Sequence, residues 1–277
     1  MTVIREPVEF LKGEFPNTYL VDTLGFEKHM RQIRGCRGEK VPAAWFERPY
    51  FYCLRLDNHK LKGHGDKLYF PSYVTKKDYE FELAGLFTED IRTTNIDEAI
   101  EYVKNEMFFT IFNDLSARDF QADDMKLPLG VSASKGIADK SFGPVLVSGK
   151  DLNFDKNGVL SMEMKLRVNN ELRLSGNFQE IYFINPKTEK SNCWSFAQFI
   201  AWFGKMSQGF RRGDLLGSGT IGSGSIAEFA AKTDKDGKEI EPAIYPWLKE
   251  GDVIRMEAEG IGVLENTIGV IDMPSPK

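Results

Sequence analysis

The stretch Met107-Phe108-Phe109-Thr110-Ile111-Phe112-Asn113-Asp114-Leu115-Ser116-Ala117-Arg118-Asp119-Phe120-Gln121 decides how the chain is read. Its first six residues are aromatic, β-branched or apolar and predict a buried strand. Asn113-Asp114 then suits a turn or the start of a helix. If the residues that follow are helical, Asp114, Arg118 and Gln121 fall at i, i+4 and i+7 on one face. A capped helix with an Asp114–Arg118 pair would account for the first two and leave Gln121 unexplained.

Outward from this stretch, most segments again read as strands: 78–87, 143–148, 161–168 and 253–258. They are bounded by turn residues such as Asn169-Asn170 and Asp155-Lys156-Asn157-Gly158. Helical periodicity is confined to 26–34, 97–105 and the Phe-rich 194–207, which serves either the core or an interface. The tract 232–242 reads as a charged hairpin or loop. The fold class is therefore α+β and β-rich, without the regular β-α alternation of a doubly wound sheet.

The 277 residues carry 36 Lys plus Arg against 41 Asp plus Glu, a net charge of −5, with 42% apolar and 28% charged residues, a balance that excludes a disordered chain. The longest apolar run, Phe108–Phe112, is far below the ~20 residues of a membrane helix. Mild acidity argues against nucleic acid as a partner. Cys36, Cys53 and Cys193 are odd in number and lack the close spacing of a thiolate metal site. Residues 1–17 lack the apolar segment of a signal peptide, so the expected location is cytoplasmic. Of 34 aromatics 21 are Phe, and only three His are present, which narrows the choice of a general base.

On the 78–87 strand Glu80 and Glu82 point to one side. Two carboxylates this close repel unless a cation lies between them or one is protonated, and hard oxygen donors suit Mg²⁺, Mn²⁺ or Ca²⁺. Alone, a solvated face with two acids would explain them as well. The Gly-rich run Arg212–Gly224 implies close backbone approach and lacks the Gly-Lys-Ser/Thr of a phosphate loop.

Taken in order, ExE at 80–82, NDLSARDFQ at 113–121, Lys135-Gly136, GDLLGSGT at 213–220, LKEGDVI at 248–254 and EGIGVLEN at 259–266 resemble the fumarylacetoacetate hydrolase (FAH) family, from about Asp22 to Gly269. The resemblance implies a mixed β-roll with few helices, divided into residues 1–70, including a lid at about 22–45, and a catalytic domain at 71–277. It implies a divalent cation, Mg²⁺ first, with Mn²⁺ or Ca²⁺ as alternatives, held by Glu80, Glu82, Asp114 and Asp22. Arg118 and Gln121 would orient substrate and water. Lys135 matches the family's lysine, with Lys140 as a rival. His29 would be the general base. Gln32 stands where small acylpyruvases place the partner Glu, so Glu228 is expected as partner, as in the fumarylacetoacetase branch. That branch also suggests Arg37, Tyr52 and Thr220 near substrate, although Tyr52 lies in a run of aromatics that suits core packing. Two tyrosines of the branch are replaced by Leu24 and Met125, which argues against fumarylacetoacetate itself as substrate. That enzyme's N-terminal domain is expected to be missing or reduced to roughly the first 20 residues. His59 and His64 flank a Lys/Gly-rich turn and are expected at the surface.

The implied activity is hydrolytic cleavage of a carbon–carbon bond in a 1,3-dicarbonyl or acylpyruvate-type 2-oxo acid by a homodimer. Decarboxylation, isomerisation or hydration of 2-oxo acids, or an enzyme of 2-oxo-3-deoxy sugar acids, is the alternative on the same site. A non-catalytic ligand-binding member is the alternative of another class.

Overall fold

The structure is a computed structural model that describes residues 2–127, 130–234, 236 and 238–275. Among these residues the strands form two main sheets. The first runs, edge to edge, through Val3–Arg5, Lys140–Ser148, Met107–Asp114, Phe81–Phe87, Leu215–Gly217, Tyr19–Thr23 and Phe51–Arg55, with Leu61–Lys62 beside Lys140–Ser148. The second runs Glu171–Asn177, Glu163–Val168, Val253–Ala258, Gly262–Ile271 and Lys67–Pro71. Both are mixed. Leu215–Gly217 lies parallel to Tyr19–Thr23, and Gly262–Ile271 parallel to Lys67–Pro71. This is the β-rich α+β architecture expected.

The central strand Phe81–Phe87 is buried along its whole length, as a near-continuous apolar run covered on both faces should be. Phe81, Leu83 and Phe87 face the large core shared with the second sheet and the helix Phe196–Lys205. Ala84 and Leu86 face a smaller core with Leu20, Phe112, Phe142 and Leu215, beneath the helix Pro7–Glu14. Gly85 admits the closest packing, since a Cβ there would overlap Met107 Cε and lie 3.3 Å from Phe109. The Phe-rich helix buries Phe196, Phe199 and Phe203 in the core. Ser195 Oγ caps its start and Asn95 Oδ1 caps Ile96–Asn105. Asn169 and Asn170, at φ 50° and 67°, make the two-residue turn between Glu163–Val168 and Glu171–Asn177. The charged tract forms the small hairpin Lys232–Thr233 with Glu239–Glu241; residues 235 and 237 of that tract lie outside those described.

The helical spacing of Asp114, Arg118 and Gln121 is corrected. Asp114 ends the strand Met107–Asp114, and its N–H donates to the Glu80 carbonyl at 3.0 Å. Ser116–Ala117 then pairs with Lys77–Asp78, which holds the backbone extended. The helix begins only at Arg118 and runs to Asp124. The 78–87 strand is also interrupted: Glu80 forms a single bridge to Ser225 before Phe81–Phe87 begins.

Phe210 stacks on Phe87 at 4.3 Å between centroids and 4° between planes, far from the polar cluster described below, and both are buried. Phe210→Ala is expected to cost about 3–5 kcal/mol in urea unfolding while leaving cation-induced stabilisation intact.

Candidate metal and general-base site

Six adjacent strands of the first sheet place the site by the same step. Two residues along from an apolar side chain of the smaller core, on the same face, five of them place a polar side chain and the sixth a glycine: Leu20 then Asp22, Ala84 then Glu82, Phe112 then Asp114, Phe142 then Lys140, Leu54 then Tyr52, and Leu215 then Gly217. Register sets Asp22 opposite Tyr52 and Asp114 opposite Lys140, while Glu82 lies opposite Phe112 and Gly217 opposite Ala84.

Asp22, Glu82 and Asp114, all buried, each offer a carboxylate oxygen within 4.8 Å of the others. Tyr52 donates to Asp114 Oδ2 at 2.8 Å, and Thr220 Oγ1 donates to Glu82 Oε1 at 3.1 Å. Glu82 Oε2 has no hydrogen-bond donor among the described residues. A Cβ at Gly217 would overlap Asp22 Oδ1 and lie 3.2 Å from Glu82 Oε2, so the glycine leaves the carboxylates their room. The donor set fits a hard divalent cation.

Glu80 stands beside this triad, bonded to Arg118 Nη2 at 2.6 Å through Oε1 and to Lys135 through Oε2. Lys135 also bonds Asp114 and donates to Ser116 Oγ at 2.9 Å, so its ammonium lies between two acids. Lys140 pairs with Asp114 and donates to the Leu115 carbonyl at 2.7 Å. Both lysines therefore reach Asp114, and Lys135 alone of the two bridges to Glu80. Arg118 also bonds Gln121 Oε1 at 2.7 Å and Asp78 Oδ2 at 2.8 Å.

Electrostatics separates the acids. Burial, reinforced by Asp114, pushes Asp22 up to about 7. Burial and the neighbouring Asp22 and Asp114 hold Glu82 well above the ordinary carboxylate range. Burial would raise Glu80 too, but Arg118 and Lys135 outweigh it and hold this acid low. Lys135 is raised, because Asp114 and Glu80 outweigh its burial. Lys140 is lowered, because burial prevails.

His29 is carried by the helix Glu27–Gly35, and its Nδ1 lies 2.9 Å from Glu228 Oε1, both residues being buried. Glu228 accepts from Ser225 N–H at 3.0 Å, from Ser225 Oγ at 3.1 Å and from Ser223 N–H. Gln32, one turn beyond His29, donates to Ser223 Oγ and accepts from its N–H, both at 3.0 Å, so the two elements are clamped together. Arg37 is half exposed, pairs with Glu39 at 3.5 Å, and makes no bond to the cluster. Leu24 packs on the main core and Met125 is exposed. His59 and His64 are at the surface. Asp78 is the functional-site contact missed from sequence, although it shares the parity of Glu80 and Glu82.

Residues 18–269 match the family model described as fumarylacetoacetate (FAA) hydrolase C-terminal. The chain belongs to the fumarylacetoacetate hydrolase family. Oxaloacetate tautomerase YisK of Bacillus subtilis is 29% identical over 75% of this chain and 57% of its own length. A mitochondrial oxaloacetate tautomerase of Bos taurus is 26% identical over 84% and 62%, and an uncharacterized protein of Archaeoglobus fulgidus 26% over 76% and 66%. The chain thus spans less than two thirds of the length of these relatives. Fumarylpyruvate hydrolase from Pseudomonas aeruginosa, solved with Mn²⁺ and pyruvate, shares the fold at a TM-score of 0.64 and 17% identity, over 92% of this chain and 90% of that one. A 5-carboxymethyl-2-hydroxymuconate delta-isomerase from Mycobacterium smegmatis does so at 0.61 and 19%, over 93% and 81%. The matches span tautomerases, isomerases and hydrolases, and do not assign the chain to the fumarylacetoacetase branch. No helix among the described residues is long and apolar enough to cross a membrane.

Mg²⁺ or Mn²⁺ is expected to raise the thermal midpoint and EDTA to reverse this, with Gly217→Ala abolishing the shift. The sign with pH follows from Asp22. Its raised pKa means that its contribution to metal-free stability is present below 3.8 and is lost as pH rises through about 7. A cation must displace those protons, so the gap between Mg²⁺ and EDTA midpoints is expected to widen from pH 5 to 8. A constant gap in differential scanning fluorimetry would contradict this.

Proposed function

We propose that the protein is a divalent-metal-dependent enzyme that hydrolyses a carbon–carbon bond in a 1,3-dicarbonyl or acylpyruvate-type 2-oxo acid. The observation that carries this reading is the buried His29–Glu228 pair beside the carboxylate cluster. Asp22, Glu82 and Asp114, with Glu80 at their edge, would hold a cation whose Lewis acidity stabilises enolate charge on the substrate oxygens.

With Glu228 Oε1 2.9 Å from His29 Nδ1, a proton placed on Nδ1 would fix the tautomer and leave Nε2 to take a proton from water. The resulting hydroxide adds to a substrate carbonyl carbon, the adjacent C–C bond breaks, and the imidazolium returns its proton to the leaving carbon. Lys135, held as an ammonium by Asp114 and Glu80, faces the developing negative charge. Arg118 and Gln121, bonded to one another, orient the substrate's polar groups. Residues 22–23 lie in the paired strand Tyr19–Thr23, so a lid would begin beyond it; helix Glu27–Gly35 would then belong to that lid, and its closure would deliver the base and exclude water together.

A second reading is favoured by the named relatives, two of which are oxaloacetate tautomerases. On the same site His29 would move a proton between carbon and oxygen, with no water added.

Acetylpyruvate and oxaloacetate with Mg²⁺ or Mn²⁺ distinguish the readings. Hydrolysis predicts acetate and pyruvate from acetylpyruvate, with His29→Ala and Glu228→Gln each lowering kcat by about 10²–10⁴. Unchanged turnover in both variants would sink the assignment of the base. Enol–keto interconversion of oxaloacetate without acetate release would select the second reading.

A further inference from the structure

We infer that Asp78 is a positioning residue that locks the His29–Glu228 base pair to the substrate-orienting Arg118. The inference rests on the roles given to His29, Glu228 and Arg118 above.

Asp78 is fully buried, and both its oxygens are engaged. Oδ1 accepts the Ile226 N–H at 2.7 Å. Oδ2 accepts the Ala227 N–H at 3.0 Å and Arg118 Nε at 2.8 Å. Ile226 and Ala227 open the short 3-10 turn Ile226–Phe229, in which Glu228 comes third. The first N–H groups of such a turn have no partner within it and must find one outside. The Ser225 hydroxyl at the N-cap serves the third residue, Glu228, and not the first two. A carboxylate 148 residues earlier in the chain takes the N–H of Ile226, and that of Ala227 with it. The same carboxylate fixes the Arg118 guanidinium, whose other nitrogens hold Glu80 and Gln121. The pairing of Lys77–Asp78 with Ser116–Ala117 sets Asp78 against both partners.

The geometry is specific to a carboxylate. Two N–H donors and a guanidinium converge on two oxygens, and each oxygen must accept. An asparagine of the same size would turn an NH₂ toward at least one donor and remove the charge facing Arg118. The turn would then shift relative to His29, and the arginine relative to the substrate.

The test uses the full chain and a property of its composition, the three histidines. A proton on His29 Nδ1 bonded to Glu228 gives a downfield ¹H resonance, assigned by its loss in His29→Gln, while the surface His59 and His64 supply none. In Asp78→Asn this resonance is expected to move upfield or vanish, as in Glu228→Gln. With acetylpyruvate and Mg²⁺, Asp78→Asn is expected to lower kcat about 30-fold through Glu228 and raise KM severalfold through Arg118; in a Glu228→Gln background the kcat loss shrinks below about 3-fold while the KM rise persists. An unmoved resonance together with the same kcat loss in both backgrounds would overturn the inference. If Asp78→Asn does not fold, Asp78→Glu, which keeps the charge on a longer arm, enters the same cycle with the same expectations. A wild type silent on acetylpyruvate and oxaloacetate would instead overturn the function proposed above, and the resonance alone would then decide the role of Asp78.

Discussion

Mutual repulsion of buried carboxylates is the constraint around which the rest of this molecule is arranged. Charges about 4 Å apart repel by about 4 kcal/mol per pair at an effective dielectric near 20, and burial adds a desolvation cost for each. Asp22, Glu82 and Asp114 are brought that close by the strands that carry them. The apolar layer of Leu20, Ala84, Phe112 and Leu215 beneath them supplies the free energy that keeps the strands in register. The core therefore sets the spacing of the ligands, and the ligands have no freedom to spread.

The surrounding cations divide this tension. Lys135 and Lys140 flank Asp114, Arg118 is shared between Glu80 and Asp78, and Lys135 reaches Glu80 as well. Within the triad, Asp22 and Glu82 have no ion pair among the described residues, and burial raises the proton affinity of both. The uncompensated part of the cluster is thus its Asp22–Glu82 side, lined by the backbone of Gly217. A divalent cation there would relieve both acids at once.

Period-two alternation made part of this legible from the residues alone. Glu80 and Glu82 had to share a face, and the run from Phe108 had to be a buried strand. Alternation also carried a signal that went unread, since Asp78 has the same parity and completes the row. The order of the sheet was not legible, because Tyr52 meets Asp22, and Lys140 meets Asp114, through registers that no local pattern encodes. The same limit misplaced Asp114, Arg118 and Gln121 on one helix: Ser116–Ala117 is kept extended by a partner some 40 residues earlier, and local spacing does not contain that partner. The pairing of His29 with Glu228 entered through family resemblance, and its geometry depends on a turn secured by Asp78.

The strand Leu215–Gly217 inserts between Phe81–Phe87 and Tyr19–Thr23, and so joins the earliest part of the chain to one of the latest. During synthesis at about 5–20 residues per second, Tyr19–Thr23 would wait roughly 10–40 s for that neighbour to be made. Until then Asp22 and Glu82 belong to separate pieces of a half-built sheet with unsatisfied edges. Glu82 and Asp114 can meet earlier through the direct pairing of their strands, whereas Asp22 joins them only once Leu215–Gly217 is in place. The carboxylate cluster is then completed by a contact of very long loop closure.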